Sequence, residues 1–146
     1  MPPATRRDPL TVFSFLVDIG EDSAFFKSVS GLDAETAVIE YRTGNMPSLS
    51  SIKLPGLTKY SNIVLKRGMT ADLALWRWYK TTIDGQTQRR DGTITLLDTA
   101  LKPVLRWRFR NGWICKWEGP DLDAGANEVA IETIEIAHDG LELDSA

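Results

Sequence analysis

The side chains best suited to chemistry in this 146-residue chain are few, and their neighbours do little to activate them. His138, the sole histidine, stands beside Asp139. In a strand, adjacent residues point to opposite faces, so this adjacency separates imidazole from carboxylate and makes no dyad. A surface or packing role is expected. Cys115, the sole cysteine, lies between Ile114 and Lys116 with no histidine near it in sequence. A thiol nucleophile needs a base or a lowered pKa, so Cys115 is expected as buried filler. Asp121 and Asp123 in Pro120-Asp121-Leu122-Asp123 lack the further spaced oxygen donors of a calcium loop and read as turn formers. There is no CxxC, HExxH, serine-centred elbow or glycine-rich phosphate loop. No catalytic residue, metal or cofactor is therefore expected. A small hydrolase would have to rest on His138 or on carboxylates that meet only in space.

Binding has better material. Arg106, Arg108 and Arg110 alternate with Leu105, Trp107 and Phe109, so three guanidinium groups line one face of a strand, with Arg89 and Arg90 upstream. Basic residues interleaved with aromatics suit single-stranded nucleic acid. Here the aromatics have the opposite parity, which assigns them to the core. The arginines are expected on a solvated or lumen-facing strand, with Glu128, Glu132 and Glu135 as balancing partners. A nucleic-acid or polyanion-binding β-barrel using Arg106, Arg108 and Arg110 is the alternative function.

These residues need a β scaffold. Phe13, Phe15, Val17 and Ile19 alternate within Leu10 to Ile19, as in a half-buried strand. Further strands are expected at Phe25 to Val29, Thr36 to Arg42, Asn62 to Arg67, Thr93 to Leu97, Val104 to Asn111, Trp113 to Trp117 and Glu128 to Ala137. Asp91-Gly92 and Asn111-Gly112 are hairpin or turn signals. In the last strand Val129 and Ile131 share one parity and Ile134 and Ile136 the other, which implies a bulge or a change of packing surface. One helix follows Gly68, with Thr70 as N-cap, Asp72 in the first turn and Leu75, Trp78, Tyr79, Thr82 and Ile83 as its stripe, ending before Asp84-Gly85. Trp76 lies off that stripe, which implies cover on a second side.

Residues 43–60 read as a long loop, with Gly44, Asn45, Pro47, Pro55 and Gly56 beside Met46, Leu49, Ile52, Leu54 and Leu57. Apolar residues there fold back on the core or pack on a neighbouring subunit. The fold class expected is mainly β: an antiparallel sandwich or barrel with one flanking α-helix and a long assembly loop.

Length fits one domain, 1–146, with a flexible proline-rich segment at 1–9. Apolar residues at 42% and charged residues at 25% are ordinary globular values. A net charge of −3 argues against affinity built on a basic surface. With one cysteine and no apolar run near the ~20 residues of a membrane span, cytoplasmic synthesis as a soluble subunit is expected.

The order of short motifs carries a further signal. Val29-Ser30-Gly31-Leu32-Asp33, Lys53-Leu54-Pro55-Gly56, Lys59-Tyr60-Ser61-Asn62-Ile63 and Leu65-Lys66-Arg67-Gly68 are followed by Leu75-Trp76-Arg77-Trp78 and Leu96-Leu97-Asp98. Trp107-Arg108-Phe109 and Asn127-Glu128-Val129-Ala130 with Glu132 complete the series. From about Pro9 to Leu141 it resembles the tail-tube family of contractile phages and of extracellular contractile injection systems, related in fold to the type VI secretion tube protein. The resemblance implies a non-enzymatic subunit of hexameric rings, stacked into a hollow tube inside a contractile sheath for payload delivery. Implied partners are further copies of the chain, sheath, baseplate or spike hub, tube terminator, and effector cargo or DNA in the lumen. The implied place is a phage tail or a phage-tail-like particle, with no membrane insertion by the subunit. Residues 43–60 correspond to a loop set against neighbours. The inter-subunit candidates are Met46, Leu49, Ile52, Lys53, Leu54, Pro55, Gly56, Leu57 and Trp76, and the lumen-facing candidates are Arg106, Arg108 and Arg110.

Overall fold

The computed structural model describes residues 14–20, 22–42, 44, 51–125 and 129–146. The segment 1–9, the start of the first expected strand at Leu10, Met46, Leu49 and Glu128 lie outside the described residues. The alternation expected for the first strand holds in β1 (Ser14–Ile19), where Val17 and Ile19 are buried and Phe15 packs against the core. The expected second strand is two, β2 (Asp22–Phe26) and β3 (Ser28–Ser30). At Lys27 the chain turns its N–H from β1 to the carbonyl of Lys66, 3.0 Å away, so one extended stretch serves two sheets.

Next come β4 (Ala34–Tyr41), β5 (Ile52–Tyr60), β6 (Ile63–Gly68), α1 (Ala74–Ile83), β7 (Arg90–Leu97), β8 (Pro103–Glu118), β9 (Ile131–Ala137) and β10 (Gly140–Ser145). All strand pairs are antiparallel. Strands run β2-β1-β7-β8-β9-β6-β3, with β10 also on β8, while β4 and β5 form a sheet of their own.

Strand β8 corrects the turn expected at Asn111-Gly112. Its first half pairs with β7 and β10 and its second half with β9, so it passes from one layer to the other without reversing. Asn111, at φ 51°, marks the bend. Asp91-Gly92 is likewise inside a strand, at a bulge between Arg90 and Gly92. Both glycines serve Phe109: a Cβ at Gly92 or Gly112 would overlap its ring. The turn-prone dipeptides permit close packing here, not reversal.

The core joins Val17, Ile19, Phe26, Ile63, Leu65, Ile94, Phe109, Ile114, Ile134 and Ile136, with Leu75 and Trp78 of α1 over it. The phase conflict in β9 resolves inside a regular strand: Glu132, Ile134 and Ile136 point inward, Ile131 is partly buried, and Val129 is exposed ahead of the strand. Glu132 occupies a core position because Arg67 of β6 meets it at 2.5 Å, with the guanidinium also over the Phe26 ring. The bulge belongs to β8, between Ile114 and Lys116.

The helix starts later than expected. Leu73 is the N-cap and offers no side-chain bond, so Thr70 is not the cap. Asp72 precedes the first turn and accepts the Ala74 N–H at 3.0 Å. Trp76 stands edge-on to Tyr79 and Trp117. These aromatic contacts lie within the subunit and leave part of the Trp76 ring exposed.

Candidate assembly surface

Residues 43–60 are expected as a loop, but Ile52–Tyr60 is strand β5, paired along its length with β4. Pro55 and Gly56 obscured it. A proline is tolerated in a hairpin whose strands each have a free edge, and the register slips beside Gly56, between Thr36↔Thr58 and Val38↔Pro55. Opposite charges face each other in the Glu35–Lys59 and Glu40–Lys53 pairs, and the Thr36 and Thr58 hydroxyls meet at 2.9 Å. A 3.4 Å bond from the Ser61 N–H to the Asp33 carbonyl ties the base of the hairpin.

The hairpin makes at most marginal contact with other described elements. Ile39 pairs with Leu54 and Tyr41 with Ile52, so alternation puts these four on one face near the far end. Val38 and Pro55 lie on the other face. Every β4 residue is exposed, and Ile52, Leu54 and Leu57 are 48%, 43% and 78% exposed. An isolated two-stranded hairpin is marginal in water, and fully burying one such side chain is worth roughly 1.5–3 kcal/mol. The arm is an element in search of cover.

Arg106, Arg108 and Arg110 do share a face, away from Trp107 and Phe109. Their partners differ from those expected. Glu132 is committed to Arg67, and Glu135 pairs across from Lys116 and accepts from Asn62 at 3.0 Å. The balance comes from β10, a strand outside those expected: Asp144 lies opposite Arg106 and Glu142 opposite Arg108. Arg108 and Asp144 approach to 3.6 Å. Asp18, Asp91, Thr93, Arg108, Arg110 and Glu142 border an open concavity of about 510 Å³. Cations and anions alternate across it, so it presents no uniform positive field.

The other candidates are engaged in contacts within the subunit. The His138 ring sits between the carbonyls of Ser61 (2.9 Å from Nε2) and Gly140 (3.1 Å from Nδ1), and Asp139 instead accepts from Asn111 at 3.1 Å. Cys115 is half-buried at the β8 bulge, so it is not the buried filler expected. Burial, followed by the negative charge of Glu135, pushes its thiol pKa up. Asp123 closes a turn by accepting the Gly125 N–H. Arg90 pairs with Asp22 at 3.3 Å and lies over Trp78, and Arg89 lies over Trp113. Among the described residues, no three His, Cys, Asp or Glu side chains gather in a way that could hold a metal.

An arm with exposed apolar residues has the character of an interaction surface. The chain belongs to the family described as T4-like virus tail tube protein gp19, which matches residues 11–142. It is similar, at 29% identity and TM-score 0.82, to a chain in the sheath–tube complex of the PVC extracellular contractile injection system in the extended state, with 96% of this chain and 94% of that one covered. A chain in the tube-terminating cap of the anti-feeding prophage matches at 27% identity and TM-score 0.81, covering 99% and 97%. Hcp1 from Flavobacterium johnsoniae, at 15% identity and TM-score 0.62 over 92% and 97%, shares the fold. No curated protein sequence matches. The chain is a tail-tube subunit of the contractile-injection class.

Proposed function

We propose that this subunit forms hexameric rings that stack into a hollow inner tube within a contractile sheath, with the tube serving payload delivery by a phage tail or a phage-tail-like particle. The observation that carries this reading is the β4–β5 arm, whose faces find too little cover within one subunit. Packed on a neighbour, Ile39, Tyr41, Ile52, Leu54 and Leu57 leave water, and Lys53, Pro55 and Gly56 hold the arm's shape. Trp76, 39% exposed above its aromatic partners, is a second contact candidate. The tube works without a catalytic centre, since the sheath supplies the work and the tube supplies stiffness and a passage. Baseplate, sheath and terminator are the partners, by similarity to chains in such complexes. No described helix is long and apolar enough to cross a membrane.

Negative-stain electron microscopy of the purified protein tests the reading. Rings or tubes are expected at high concentration or on addition of a baseplate complex. Persistent monomers under both conditions overturn it.

A further inference from the structure

We propose that Asn62, Glu135 and His138 form a clasp at the root of the β4–β5 arm and are positioning residues for assembly, holding the arm in one direction before it meets a second copy of the chain. The inference rests on the tube reading and adds what aims the arm. Two connectors join the arm to the rest of the subunit: residues 31–33 after β3 and residues 61–62 before β6. The hairpin itself leans on little else among the described elements. Rotation about the connectors would therefore swing it as a unit, and the contacts of the connectors are what opposes that swing.

Those contacts are specific. Gly31, at φ 82°, lies so close to Asn62 that a Cβ there would overlap the Asn62 carbonyl oxygen. The Ser61 N–H crosses to the Asp33 carbonyl, so the two connectors are joined to each other. Both are then fastened to the end of β9. Val64 pairs with Glu135, and Asn62, two residues earlier, shares that face. Its Nδ2 donates to Glu135 Oε1 at 3.0 Å. His138 follows β9 and, with the ring proton on Nε2, donates to the Ser61 carbonyl across 2.9 Å. The same ring lies against Tyr60, the last residue of β5, with 5.8 Å between centroids. Ser61 thus has its N–H and its C=O held by different partners, and turning the arm breaks at least one of these bonds.

Two of the short sequence motifs, Val29-Ser30-Gly31-Leu32-Asp33 and Lys59-Tyr60-Ser61-Asn62-Ile63, meet at this one place. None of the three clasp residues belongs to the apolar face that the arm presents. Their effect on assembly comes through direction: docking costs less when the arm's orientation is already fixed, because that freedom is not lost at the docking step.

The test places nitroxide labels on full-length protein in a Cys115→Ser background, at Arg42→Cys beyond the end of β4 and at Lys80→Cys on α1. Double electron–electron resonance reads the label separation below the concentration of ring formation. The concentration at which rings appear is read by electron microscopy on unlabelled chains. Asn62→Ala and His138→Ala are each expected to broaden the distance distribution and to raise the ring-forming concentration about tenfold. Asn62 is exposed, so the urea midpoint of Asn62→Ala is expected near that of the parent chain. Glu135→Gln keeps an acceptor for Asn62 and is expected to match the parent in both readouts. Unchanged distributions in both alanine variants, or broadened ones with unchanged ring formation, overturn the clasp and leave the tube reading standing. Failure of the parent chain to form any ring overturns the tube reading, and the clasp's role in assembly with it.

Discussion

Glu132 reached the core only because Arg67 did. Sequence alternation marked Ile134 and Ile136 correctly as one face, but it could not place a carboxylate among them, since its partner lies 65 residues away. Removing one member of a buried pair strands the other, at a cost of about 3–5 kcal/mol. Glu132→Ala is therefore expected to lower the urea midpoint sharply, while Arg67→Met with Glu132→Leu recovers most of the loss. Equal destabilisation of the single and double variants would show that packing, not charge, dominates. Cys115 offers a second check. Its raised thiol pKa leaves less thiolate near neutral pH than an ordinary cysteine has. Alkylation at pH 8 is expected to be slower than for a free thiol and faster in Glu135→Gln, which removes the repelling charge.

At the scale of elements, period-two patterning found most of the core-facing strands: β1, β6, β7 and both halves of β8 were legible from alternating apolar residues. What stayed hidden had a local cause. Pro55 and Gly56 disguised β5 and Asn111-Gly112 split β8 in two, whereas Leu141-Glu142-Leu143-Asp144 alternates as a half-buried strand does and was legible but not assigned. The candidate surface was half legible: its apolar residues stood out, but their organisation as a paired arm did not. Because that arm is separate from the core, Leu54→Asp is expected to block assembly with little loss of monomer stability. Sedimentation velocity and thermal melting distinguish this from an unfolded variant, which would mean the arm packs on its own subunit.

For the whole molecule, the arginine face was legible and its neutralisation was not, because β10 brings Asp144 and Glu142 beside it only after folding. Affinity for nucleic acid needs phosphates to displace counterions from a net positive surface. The chain is expected to bind single-stranded DNA unmeasurably even at low salt, as read by fluorescence anisotropy. Salt-dependent binding lost in Arg106→Ala with Arg108→Ala would revive the polyanion alternative.

Strand β8 also has a mechanical consequence. Because one covalent chain is a member of both layers, the layers cannot slide past each other without stretching its backbone or breaking ladders at both ends. The continuous β2–β3 stretch makes a second such tie through Lys27. A subunit pushed from behind would then transmit thrust as a rigid block, and compliance would concentrate at the contacts between copies.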